Sequence, residues 1–167
     1  MTDLKALYEE DTVAWAENQA AALRAAARGD SNQTLDWENL AEEIDDLAKS
    51  QRRALRSQLS RILQHLVKMA HSPANEPRKS WCRSILQARV DVERILEESP
   101  RLKREVPRLV ANETRRAIDL AIAELEEHGE TGTTDMGGLK ARALLDLDAY
   151  THDQILGDWL PPEPPAT

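Results

Sequence analysis

His65 is the side chain of this sequence best suited to carrying a proton, because a free imidazole titrates near neutrality. It closes a lane of residues seven apart, Trp37, Ile44, Gln51, Gln58 and His65, which an α-helix would stack along one face. Polar groups on a packed face must find partners, since an unmet buried donor or acceptor costs roughly 1–3 kcal/mol. The lane therefore has two readings. In the commoner one, Gln51, Gln58 and His65 form a satisfied network that sets helix register. In the sharper one they open a small polar site, with His65 and Glu43 as catalytic candidates for a small hydrolase or metal-dependent enzyme. Glu43 is singled out because it borders the apolar face, whereas Glu38, Glu42 and Asp45 point away from it.

Other chemistries find less support. Metal-binding helical bundles pair Glu-x-x-His motifs from facing helices, and none is present; His71 points to another face, while His128 and His152 fall near helix ends. The single cysteine, Cys82, stands beside Arg83 without a local base, and the chain has no Gly-x-Ser-x-Gly elbow or phosphate-binding loop. No metal site and no cofactor is implied. The lone thiol also has no partner within the chain for a disulfide, which suits a reducing compartment.

Charge is distributed unevenly. Residues 1–48, 49–108 and 109–167 carry −9, +9 and −8 of the total of −8. A basic middle can pair with acidic ends inside the fold, or it can expose Arg52, Arg53, Arg56, Arg83 and Arg89 to a phosphate-bearing partner, with Trp81 as the nearby aromatic. Pairing is favoured, because the acidic chain as a whole repels a polyanion. The absence of Phe also leaves little from which to build a base-stacking platform.

The elements that must position these residues read as helices throughout. An Ala-rich first helix places Leu4, Leu7, Tyr8, Trp15 and Leu23 on one side and stops at Gly29. Asp36 is a natural N-cap for a second helix of about 35 residues ending before Pro73, with Trp37, Leu40, Ile44 and Leu47 as the start of its apolar face. A third helix begins near Ser80 with Trp81, Ile85, Ala88, Val92, Ile95 and Leu96 inside, and Ser99-Pro100 interrupts it. A fourth carries Leu102, Val106, Leu109, Val110, Ala117, Leu120, Ala121 and Leu125, with Pro107 tolerated at a helix start or a kink, and closes at Gly129. Two short helices follow the loop at 130–138. The expected architecture is all-α: a bundle of four main helices with a long second helix, forming one domain over residues 1–160, and a proline-rich, disordered or extended tail over 161–167.

Several of these residues also carry a resemblance. Tyr8, Trp15, the run Asp36-Trp37-Glu38-Asn39-Leu40-Ala41-Glu42-Glu43-Ile44, then Ser50-Gln51-Arg52-Arg53, His65-Leu66-Val67-Lys68, Ser80-Trp81, Gln87, Glu98-Ser99-Pro100 and Asp158-Trp159-Leu160-Pro161 follow one another in order. In this the chain resembles the bacterial domain-of-unknown-function family numbered twenty-nine, over about residues 8 to 161. The resemblance implies an all-α fold with no established activity. Ala48 stands where that family often has Gly, and Met69 where it often has Trp; the first stiffens the helix, by about 1 kcal/mol in propensity.

The leading expectation for function is a cytoplasmic, non-catalytic helical interaction module whose partner is a second copy or another protein. It rests on unpaired amphipathic surface and on an apolar ending at Ile155, Leu156, Trp159 and Leu160. Nucleic acid ranks behind it as a partner, and no stretch is apolar enough to suggest a membrane span.

Overall fold

The computed structural model describes residues 4–28, 37–131 and 133–163. Gly29, Asp36 and the last four residues of the tail, to which the sequence gives a helix stop, a helix cap and an extended end, lie outside the described residues. Those described form seven α-helices and one 3-10 turn, with no strand among them. The elements are α1 (Leu4–Glu10), α2 (Thr12–Ala27), α3 (Trp37–His71), α4 (Arg78–Glu98), the 3-10 turn (Pro100–Arg104), α5 (Val106–Glu127), α6 (Met136–Ala149) and α7 (His152–Leu156).

Local chemistry accounts for most of the boundaries. α3 runs for 35 residues and stops two short of Pro73, whose ring disfavours helical backbone before it. Ser99-Pro100 ends α4, and Pro107 sits in the first turn of α5, where its missing N–H costs nothing. α5 ends in a Schellman arrangement: the amide of Glu130 donates to the carbonyl of Leu125 at 2.7 Å and that of Gly129 to Glu126 at 3.1 Å. Gly129 makes this possible by adopting φ 67°. α7 opens with a capping box, Thr151 and Gln154 each accepting from the other's backbone amide.

The first helix departs from expectation. It breaks at Asp11, whose carboxylate caps α2 by accepting from the amide of Ala14 at 2.9 Å; its other oxygen accepts from the amide of Arg101 at 2.7 Å. One side chain thus starts α2 and ties it to the 3-10 turn.

The chain divides into two compact units. The first holds the described residues up to Leu55 together with Glu93–Val106. Its core is built on small side chains, Val13, Ala16 and Ala20 of α2 and Ala41 and Ala48 of α3, all at most 2% exposed. Ion pairs fix the helix direction. Glu17 meets Arg52 and Arg24 meets Asp45, each at 2.6 Å; seven residues forward on α2 correspond to seven backward on α3, so the two run antiparallel.

The second unit holds Arg56–Val92 and the described residues from Pro107 onward. Here the core is larger: Leu59, Ile62, Leu63 and Leu66 of α3, Ile85 of α4 and Ile122 and Leu125 of α5 are at most 1% exposed. Arg56 pairs with Glu113 and Lys68 with Glu124. The order is the same on both helices, so these parts of α3 and α5 run parallel. α4 starts at Arg78, one half-turn before the expected Ser80, and Leu102 falls in the 3-10 turn rather than in α5. Leu120 is 42% exposed, while Ile118 and Ile122, absent from the expected inner face, are buried.

Candidate functional site

The polar lane of α3 lies at the margin of the buried face: Trp37, Ile44, Gln51, Gln58 and His65 are all half-buried. Within the second unit, Gln58 Oε1 and His65 Nδ1 are buried without a hydrogen-bond partner. Burial is the main force holding the imidazole pKa down at about 4, and the Lys68 ammonium adds to it against an opposing pull from Glu124. His65 is therefore neutral at pH 7 and makes a poor proton donor there. Glu43 is exposed and belongs to the first unit, whereas His65 belongs to the second.

Lys68 begins where His65 leaves off, one turn later. It is 5% exposed, and its ammonium donates to a carboxylate oxygen of Glu124. Beside this pair lies a recess of about 190 Å³, walled by Pro77, Trp81 and Leu125, with His128 and Glu130 among its lining. Trp81 is 7% exposed and serves as a wall rather than an open stacking surface. The sequence singled out Trp81 here but not Lys68, although its i to i+3 spacing from His65 would have indicated it.

The arginines go chiefly to internal partners. Arg52 donates from Nε to both oxygens of Glu105 at 3.0 and 3.1 Å and from Nη2 to Glu17 at 2.6 Å. Arg56 donates from Nε and Nη2 to one oxygen of Glu113 at 2.9 and 2.5 Å, and Glu113 is only 4% exposed. Arg89, 7% exposed, donates to the carbonyls of Ile155 at 3.0 Å, Gln154 at 2.8 Å and Trp159 at 2.8 Å. Arg78 reaches the carbonyls of Met69 and Pro161, each at 2.6 Å. Arg53 and Arg83 are exposed.

Those contacts correct the expected exposed ending. Ile155 is 4% exposed, and Leu156, Trp159 and Leu160 are half-buried, with Trp159 set edge-on against Tyr150 at 4.9 Å between ring centroids. A guanidinium holding carbonyls in α7 and beyond leaves little of this segment free.

Among the described residues, exposed apolar side chains occur on α1, α4, α5 and α6, Leu86, Val90 and Leu145 among them, and on one continuous lane at the start of α3. Ala41, Ala48 and Leu55 face the core, whereas Leu40 and Leu47 are 41% and 49% exposed. The larger residues lie outside because α2, lined with alanines, leaves room only for small side chains opposite it. Trp37, Leu40, Ile44, Leu47, Gln51 and Ala54 alternate in steps of three and four, the spacing of a coiled-coil seam.

Among the described residues no group of three or more His, Cys, Asp or Glu side chains is placed to hold a metal ion, and no helix is long and apolar enough to cross a membrane. The fold and these contacts define an all-helical protein with charged side chains paired inside each unit. The chain belongs to the DUF29 family, a domain of unknown function, whose model matches residues 7–159. It is similar to the crystal structure of an alpha-helical protein of unknown function from Rhodospirillum rubrum, with 25% sequence identity and a TM-score of 0.68, over 89% of this chain and 88% of that one. A comparison with curated proteins gives no match.

Proposed function

We propose that the chain is a non-catalytic helical interaction module that docks a second copy of itself through the seam of α3. The observation that carries this reading is the exposure of Leu40 and Leu47, 41% and 49%, within a three-four repeat extending from Trp37 to Ala54. Burying such a seam against another helix is favourable by about 25 cal/mol for each Å² of apolar surface removed from water.

Only a few turns take part, so the association is weak and concentration-dependent.

Light scattering across a wide concentration range tests it. The mass is expected to rise toward that of a dimer, and Leu47→Glu to hold it at the monomer without altering the helical circular dichroism. A monomeric mass at every concentration, unchanged by the substitution, overturns the reading.

A further inference from the structure

A buried ammonium has three protons to place, and Lys68, at 5% exposure, makes its one hydrogen bond among the described residues to Glu124. Glu124 itself is 48% exposed in its side chain, so it can rotate toward solvent at little cost. Next to the pair stands the recess of about 190 Å³. The remaining donor capacity of Lys68 thus adjoins open space, which calls for an occupant.

The charges restrict what that occupant can be. A bare anion on Lys68 would have to displace Glu124 and then lie beside its carboxylate; a bare cation on Glu124 would face the ammonium. A molecule bearing both signs avoids each penalty. Its carboxylate accepts from Lys68 as Glu124 turns to accept from its ammonium, so one ion pair becomes two with no change in net charge. Glu130 adds a second carboxylate to the lining, while Trp81, Leu125 and Pro77 offer an apolar wall. From this geometry we infer that the recess binds a small zwitterion of the α-amino-acid type with an apolar side chain, carboxylate on Lys68 and ammonium on Glu124. The inference stands apart from the docking seam and does not depend on it.

L-Leucine and its two half-molecules separate the possibilities: 4-methylpentanoate lacks the amine, and 3-methylbutylamine lacks the carboxylate. Isothermal titration and thermal shift on the full chain are expected to show leucine binding at least about tenfold tighter than either. Lys68→Met is expected to abolish binding, and Glu124→Gln, which keeps shape at a half-exposed position, to weaken it at least about tenfold with folding intact. No heat and no thermal shift with millimolar leucine overturns the inference. So does 4-methylpentanoate binding as tightly as leucine, which would make the recess a simple anion site, or leucine binding unchanged in Glu124→Gln.

Discussion

The Nε of Arg89 donates to the carbonyl oxygen of Ile155 at 3.0 Å, joining the middle of α4 to the end of α7. With the bonds from Nη2 to Gln154 and Trp159, one guanidinium holds three backbone acceptors, two at the open end of α7 and one beyond it. Hydrogen bonds involving a charged group contribute about 1.5–3 kcal/mol each. Arg89→Ala is expected to destabilise the chain by at least about 3 kcal/mol in urea unfolding. Arg89→Lys should recover little, because an ammonium lacks the planar fork. Hydrogen exchange should quicken first at 154–161; protection there equal to wild type would show that the clamp is dispensable.

Arg56 and Glu113 offer a sharper contrast. The carboxylate is 4% exposed and the arginine caps it from a half-exposed position. Removing the cation alone strands a buried charge, so Arg56→Ala should cost about 3–5 kcal/mol. Glu113→Gln, and the double variant Arg56→Met with Glu113→Met, should each cost less than Arg56→Ala. Urea unfolding of the three variants measures this; equal losses from all of them would indicate that the charge is not desolvated.

Protonation of His65 opposes folding. Its folded-state pKa, about 4, lies below the ordinary 6.5 because of burial and Lys68, so the unfolded chain binds the proton more readily. The neutral imidazole imposes no penalty above pH 6.5, and stability is lost as pH falls from there toward 4. Burial also holds His71 below its usual value, despite Asp146, and it acts in the same direction. Chemical denaturation at pH 7.5 and pH 5 should therefore show a smaller drop for His65→Met than for wild type. Identical drops would place the imidazole in contact with water.

Gly129 is strained for any side chain by its backbone alone. An added Cβ would meet nothing within 4 Å, yet φ is 67°. Gly129→Ala should cost about 1–2 kcal/mol, and Gly129→Asn less, since Asn tolerates this conformation. Thermal melts resolve the difference, which for a chain of this size is a few degrees; no shift with Ala would mean that the end of α5 rearranges.

The sequence made the helices legible wherever a local signal marked them. Pro73, Ser99-Pro100, Pro107 and Gly129 act through their own backbone chemistry, and the elements end or begin beside them. What failed was choosing the buried side of α3. Leu40 and Leu47 have the greater hydrophobicity, but Ala41 and Ala48 are the ones that fit against an alanine-lined helix, and that fit depends on a partner face. Asp11 was missed for a related reason: its second carboxylate oxygen is engaged by Arg101, ninety residues on. The polar lane of Gln51, Gln58 and His65 was visible from spacing alone. Lys68 and Glu124 lie on different helices, and only the parallel course of α3 and α5 in the second unit joins them.

The make-up of the first unit also bears on synthesis at the ribosome. Its segments up to Leu55 are completed by Glu93–Val106, and Asp11 and Glu17 wait for Arg101. About 50 further residues must be translated before those partners exist, an interval of roughly 3–10 s at ordinary elongation rates. During that interval the carboxylates of Asp11 and Glu17 emerge without their contacts to Arg101, and the nascent chain is most exposed to chaperones and proteases.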